Sequence, residues 1–125
     1  MYKLLNKRIF AIFTSIIIFL NINTTYYCDN NKLDLIIRNN INGNFSVVDS
    51  VSEVQPGSFI NISWKNNKLM LPLSPRKGFL SFSDKNWDFR YNIKENNKIN
   101  VEEPVLYELL PSNQFIEHKC NIKVE

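Results

Sequence analysis

The chain has 125 residues, enough for one domain, and carries a formal charge of +3. Three of its fifteen Lys and Arg residues, Lys3, Lys7 and Arg8, fall within the first eight positions, and the other twelve are matched by twelve Asp and Glu. The body is therefore neutral, which excludes the concentrated basic face that a nucleic-acid binder needs.

The first element is a leader. After the three cations comes an apolar run from Ile9 to Leu20, broken only by Thr14 and Ser15. That order is the charged and hydrophobic sequence of a secretory signal. Twelve helical residues span about 18 Å, against a hydrocarbon core of about 30 Å, which is short for a stable membrane span. We expect residues 1–25 to be a signal peptide cleaved near Thr24 or Thr25, or an uncleaved anchor, and residues 26–125 to be a single domain in an exported, periplasmic, cell-surface or extracellular protein. Cys28 follows two bulky tyrosines, whereas a lipid-modified cysteine follows small residues. Membrane attachment is expected only through an uncleaved leader.

Two cysteines remain, Cys28 and Cys120, one at each end of the mature chain. An exported protein meets oxidising conditions, and the expectation is a disulfide between them rather than two free thiols. The loop it closes is long, so chain-entropy reasoning gives about 4–5 kcal/mol of stabilisation. One histidine and two distant cysteines make a poor ligand set, so no metal is expected.

From there the chain alternates strand and turn. LDLIIRN (33–39) precedes a turn at NNING (39–43), and NFSVVDSVSEV (44–54) precedes Gln55-Pro56-Gly57, where Pro56 presets φ and Gly57 supplies a positive one. SFINISWK (58–65) puts Ile60, Ile62 and Trp64 on one face, and Asn66-Asn67 suits a tight hairpin into KLMLPLS (68–74). Pro72 has no N–H for a ladder, which places that strand at a sheet edge or makes it irregular. GFLSFSD (78–84) and NWDFRYNIK (86–94) form the next hairpin, and ENNKIN (95–100) reads as a loop. VEEPVLYELLP (101–111) is ambiguous between a strand with Val105, Tyr107 and Leu109 in phase and a helical turn at YELL. QFIEHKCNIKVE (114–125) alternates again, with Ile116, His118 and Cys120 in phase. The pattern predicts an all-β fold, a small antiparallel β-sandwich or barrel of seven to eight strands following the signal helix.

The row Trp87, Phe89, Tyr91 and Ile93 shares one strand face, opposite Asp88, Arg90, Asn92 and Lys94. Burying four such side chains is worth about 1.5–3 kcal/mol each, so the core outweighs an aromatic platform for sugar rings. His118 lacks a nucleophile elbow or oxyanion loop in the sequence around it, and structural histidine is the default reading. Glu102-Glu103 point apart if extended, against paired carboxylates for glycoside chemistry. With only Gly43, Gly57 and Gly78, no phosphate-cradling loop is available, and no cofactor is expected. The sequons at Asn23, Asn44 and Asn61 are the chance matches expected of a chain with 19 asparagines.

LPLSPRKGFLSFSDKNWDFRY (71–91), PVLYELLP (104–111) and the late Cys120 give an order of Trp strand, Leu-Pro strand, Gly turn and "FSDKxW" hairpin. In that order the chain from Trp64 to Cys120 resembles small exported proteins of unknown function from marine picocyanobacteria. The resemblance implies no activity and supplies no catalytic residue.

The expected function is thus a non-enzymatic extracytoplasmic interaction or structural module. Its partner would be a protein or the cell-envelope surface, met through a sheet edge near Pro72 or the C-terminal strand. The alternative is a carbohydrate-binding module using Trp64 or Trp87, and the third reading is an enzyme of unrecognised type.

Overall fold

The computed structural model describes residues 25–122. The expected leader and its cleavage site lie outside them up to position 24, as does the far end of the last strand. Nine strands follow in chain order: β1 Thr25–Cys28, β2 Asn31–Arg38, β3 Val47–Val48, β4 Phe59–Trp64, β5 Asn67–Arg76, β6 Phe79–Ser83, β7 Trp87–Asn92, β8 Val105–Leu109 and β9 Phe115–Asn121. The only helical piece among the described residues is a single 3-10 turn, Val51–Glu53. No described helix is long and apolar enough to cross a membrane.

Eight strands pair antiparallel with their chain neighbours, and β1 pairs with both β2 and β9. The sheet is thereby a closed up-and-down barrel. β3 stands outside the cylinder, paired only with Ile37 and Arg38 of β2. Of the two architectures the sequence left open, the barrel is the one adopted.

Closure rests on a short contact. Tyr27 faces Asn121, and Cys28 faces Cys120. The two cysteines form the disulfide, with their Cα atoms 4.2 Å apart. The Cys120 amide donates to the Pro104 carbonyl at 3.0 Å, on the β8 side, so this is a non-hydrogen-bonded cross-strand pair, the close type. The sulfur bridge fastens the seam where the ladder provides only two residue pairs.

An eight-stranded barrel leaves an interior that side chains can fill. Alternation does this from every strand. β2 turns in Leu33, Leu35 and Ile37, and β4 turns in Ile60, Ile62 and Trp64. β6 and β7 contribute Phe82, Phe89 and Tyr91, all fully buried, and β1 adds Tyr26, whose ring meets Phe89 edge-on at 6.3 Å. The row on β7 is thus core, as its spacing implies, up to its two ends. Trp87 is half-buried at one rim, and Ile93 lies beyond the strand, 37 % exposed.

The structure corrects one local expectation and decides two that the sequence left open. The turn between β4 and β5 is Lys65-Asn66, not Asn66-Asn67, and Lys65 takes the left-handed conformation (φ 53°). Its ammonium sits 4.6 Å from the centre of the Trp64 ring, a cation–π contact that offsets part of the steric cost. β8 is a strand, but its inward residue is Leu106, and Val105, Tyr107 and Leu109 face out.

For Pro72 the structure takes the second of the two expectations, an irregular strand. β5 pairs with β4 through residues 67–72 and with β6 through residues 73–76. The Leu73 amide donates to Ser58 on the β4 side, so Pro72 turns its nitrogen the other way, where the β6 ladder has ended. By the same alternation Pro75 turns its nitrogen toward the side that β4 has left. β5 is a corner strand, and each proline sits where no donor is needed. The C-terminal strand β9 pairs with β8 through residues 115–119 and with β1 only through Cys120 and Asn121.

Two phenols are buried inside. The Tyr26 hydroxyl donates to the Val101 carbonyl, and burial pushes its pKa up to about 12. The Tyr91 hydroxyl lacks a partner in good hydrogen-bond geometry; burial, then the neighbouring Tyr26, pushes it well above the ordinary phenol value. In an unfolded chain both would ionise near pH 10. The stability they carry as neutral groups is complete below about pH 10 and is lost as pH rises through their folded values. We expect alkaline unfolding, followed by phenolate absorbance and circular dichroism, to begin above about pH 10. Tyr91→Phe, which removes an unsatisfied buried hydroxyl, should leave neutral-pH stability equal or raised by about 1 kcal/mol and should move the alkaline midpoint upward. A loss of more than about 1 kcal/mol in Tyr91→Phe would contradict this packing.

Candidate functional site

One end of the barrel carries four hairpin turns, at residues 29–30, 65–66, 84–86 and 110–114, and two sites lie near it. The first is the rim itself. The β1–β2 turn is Asp29-Asn30, both at positive φ (52° and 62°), the primed geometry that matches strand twist. It sets the Asp29 carboxylate against Nδ1 of His118. From β8, Glu108 Oε1 meets Nε2 of the same ring at 3.2 Å. The imidazole, 7 % exposed, packs at 4.7 Å on the Trp64 indole, and that indole donates to the Cys28 carbonyl at 3.2 Å. Trp87 meets Trp64 edge-on at 6.4 Å. A disulfide, two indoles and a clamped imidazole thus close this end.

The clamp limits its chemistry. Each ring nitrogen of His118 has a carboxylate oxygen within hydrogen-bond distance, so both are engaged within the rim. The two carboxylates bond opposite sides of the ring and so do not converge on a point, and among the described residues no group of His, Cys, Asp and Glu could hold a metal ion. The serines and aspartates of β6 and β7 lie elsewhere. Ser81 and Asp88 are on the outer face of the wall, bonded to one another at 2.6 Å, while His118 faces in. Glu102 and Glu103 are exposed loop residues before the buried Pro104.

The second site is a groove of about 250 Å³ on the outer wall beside the same rim. Its floor is Asp88, buried although it faces outward. Arg90 donates to Asp88 Oδ2 through Nε at 3.1 Å and Nη2 at 2.9 Å. The Arg90 guanidinium is held between the Phe79 and Tyr107 rings, 4.7 and 4.6 Å from their centres. Arg76, whose side chain is 48 % exposed, approaches the same oxygen with Nε at 3.6 Å. Tyr107 and Phe115 supply ring surface, edge-on to each other at 6.4 Å, and Trp87 borders the groove at the rim. Burial, then Glu117 across the strand pair, raises the Tyr107 pKa, with the Arg90 cation opposing.

The two tryptophans singled out from the sequence are therefore together but not equivalent. Trp64 is sealed at 2 % exposure, and Trp87 reaches the groove. Sequence reasoning missed the Asp29–His118–Glu108 clamp and the Arg76–Asp88–Arg90 cluster. The Asp-Asn pair between Tyr-Tyr-Cys and Lys-Leu was a legible hairpin signal for the first. For the second, an Asp and an Arg two apart on one strand face were visible, but Arg76 arrives only through the β5–β6–β7 register.

Residues 36–120 match the family described as Domain of unknown function (DUF8671). The chain belongs to that family. No curated protein and no solved structure matches it. The family's stretch runs from β2 to Cys120, so it takes in Trp64, Trp87, His118 and the groove, while Cys28 and Asp29 lie before it.

If the clamp is structural, His118→Ala should lower stability by about 2–4 kcal/mol, by opening a void against Trp64 and stripping two carboxylates of their partner. Glu108→Gln should cost under about 1 kcal/mol, because Glu108 is partly solvated. Urea unfolding monitored by tryptophan emission reads both. A His118→Ala protein with an unchanged midpoint would contradict the assignment.

Proposed function

We propose that this is an exported, non-enzymatic binding module that works from the outer wall of a disulfide-closed barrel. The observation that carries the reading is the aromatic and guanidinium groove beside a rim whose one histidine has both nitrogens engaged. A rigid wall with an open groove suits binding, and a fully clamped imidazole does not suit proton transfer. The Cys28–Cys120 bridge is compatible with an oxidising, extracytoplasmic compartment. The leader, and the likeness to small exported proteins of marine picocyanobacteria, point the same way. The groove lies on β6, β7 and β8, which have ladder partners on both sides, so a ligand there meets side chains on the wall rather than a strand edge.

Carbohydrate binding is the more specific form of this reading. What favours it is Trp87, half-buried in the groove beside Tyr107 and Phe115. Trp64 has no face to offer a ligand.

The test is expression of the full chain with its leader, followed by fractionation, thiol alkylation and incubation of the oxidised protein with isolated envelope polysaccharide. The expected result is extracytoplasmic protein with both thiols blocked and saturable retention on the polysaccharide. Reduced protein confined to the cytosol, or the absence of retention, would overturn the reading.

A further inference from the structure

The groove carries a charge imbalance that barrel closure does not require. Its cations are Arg76, Lys85 and Arg90, and its anions are Asp84 and Asp88. Both carboxylates are already engaged. Asp84 Oδ1 accepts the amides of Asn86 and Trp87, each at 2.8 Å, which fixes the β6–β7 turn. Asp88 is shared by Ser81 and two guanidiniums. A guanidinium has five N–H donors and no acceptor, and one shared carboxylate oxygen uses only part of what two of them offer. A ligand seated here must bring acceptors, and charged oxygens would match best.

The remaining surface is aromatic. The rings of Tyr107 and Phe115, beside Trp87 at the rim, suit the apolar C–H face of a pyranose chair. The volume, about 250 Å³, is below the usual range of about 300–1,000 Å³ for drug-sized ligands, so it fits about one ring rather than a long chain. An extended acidic peptide is the poorer match. β6, β7 and β8 each have neighbours on both sides, so the wall has no strand edge to pair with a peptide backbone.

We propose that the groove binds an acidic sugar residue, a pyranose bearing a carboxylate or a sulfate. The oxyanion is held by Arg76 and Arg90, and the ring lies against Tyr107 and Phe115. The proposal rests on the binding-module reading and assigns its ligand class.

Calorimetric titration of the full oxidised chain tests it, with an oligoglucuronate, a sulfated and an unsulfated neutral oligosaccharide, inorganic sulfate and polyglutamate as probes. Either acidic oligosaccharide should bind at least about tenfold more tightly than the neutral one, and rising salt should weaken it. Arg76→Ala and Phe115→Ala should each reduce that affinity by about threefold to tenfold. The Arg76 side chain is about half exposed and Phe115 is 65 % exposed, so the fold is expected to survive their removal. Arg90→Lys, which keeps the charge but loses the fork, should weaken binding as well. The proposal is overturned if the neutral sugar binds equally, if inorganic sulfate alone matches the oligosaccharides, if polyglutamate binds best, or if nothing binds. Retention on envelope polysaccharide that is unchanged by Arg76→Ala and Phe115→Ala would remove the groove assignment and leave the binding-module reading intact. Loss of all retention removes both.

Discussion

A four-residue strand closes this molecule. β1 holds β2 along its whole length and reaches β9 at two residue pairs, one of them a disulfide. Without that seam the strands would form a curled sheet with a bare edge on β1 and another on β9. Unpaired edges invite association with other chains. With the seam, backbone pairing runs around the cylinder, and only the two-residue β3 stands outside it. The bridge spans 92 positions in sequence, so it removes a large amount of freedom from the unfolded chain.

The seam also organises the rim. The turn after Cys28 carries Asp29, and the strand that brings Cys120 brings His118 two residues earlier, on the same face. Closing the barrel therefore delivers the imidazole to Asp29 and sets the Cys28 carbonyl over the Trp64 indole. The clamp and the bridge are two consequences of one register. The groove is built differently. It depends on β5, β6, β7 and β8, lies on the outer face, and needs no residue from β1. A rim fixed by closure and a wall left open for contact divide the molecule into a structural part and a part free to meet a ligand.

Period-two alternation made most of the interior legible. Ile60, Ile62 and Trp64, then Leu69, Leu71 and Leu73, then Phe89 and Tyr91 are inward residues because half-buried strands must alternate. The abundance of asparagine also had a use that could be foreseen in kind: Asn30, Asn42, Asn97 and Asn113 all take positive φ. What sequence could not give was anything set by pairing between distant strands. Pro72 marked an edge or an irregular strand because a proline lacks a donor, and a corner strand that changes partners has places where no donor is needed. Val105, Tyr107 and Leu109 are in phase, as their spacing implies, but β8 turns them outward, where Tyr107 meets Arg90 and Phe115. Apolar spacing reports that a face is covered, not which side of a barrel wall it is on. β1 escaped notice because four residues between a leader and a turn are too few to show a period.

The central claim is the register at the seam, and proton NMR of the oxidised full chain tests it most directly. A non-hydrogen-bonded antiparallel pair brings its two α-protons close together. The account predicts a strong Hα–Hα cross-peak between Cys28 and Cys120, with a Cys120 amide protected from exchange by Pro104. A missing cross-peak would mean that β1 and β9 do not pair in this register and that the barrel is open.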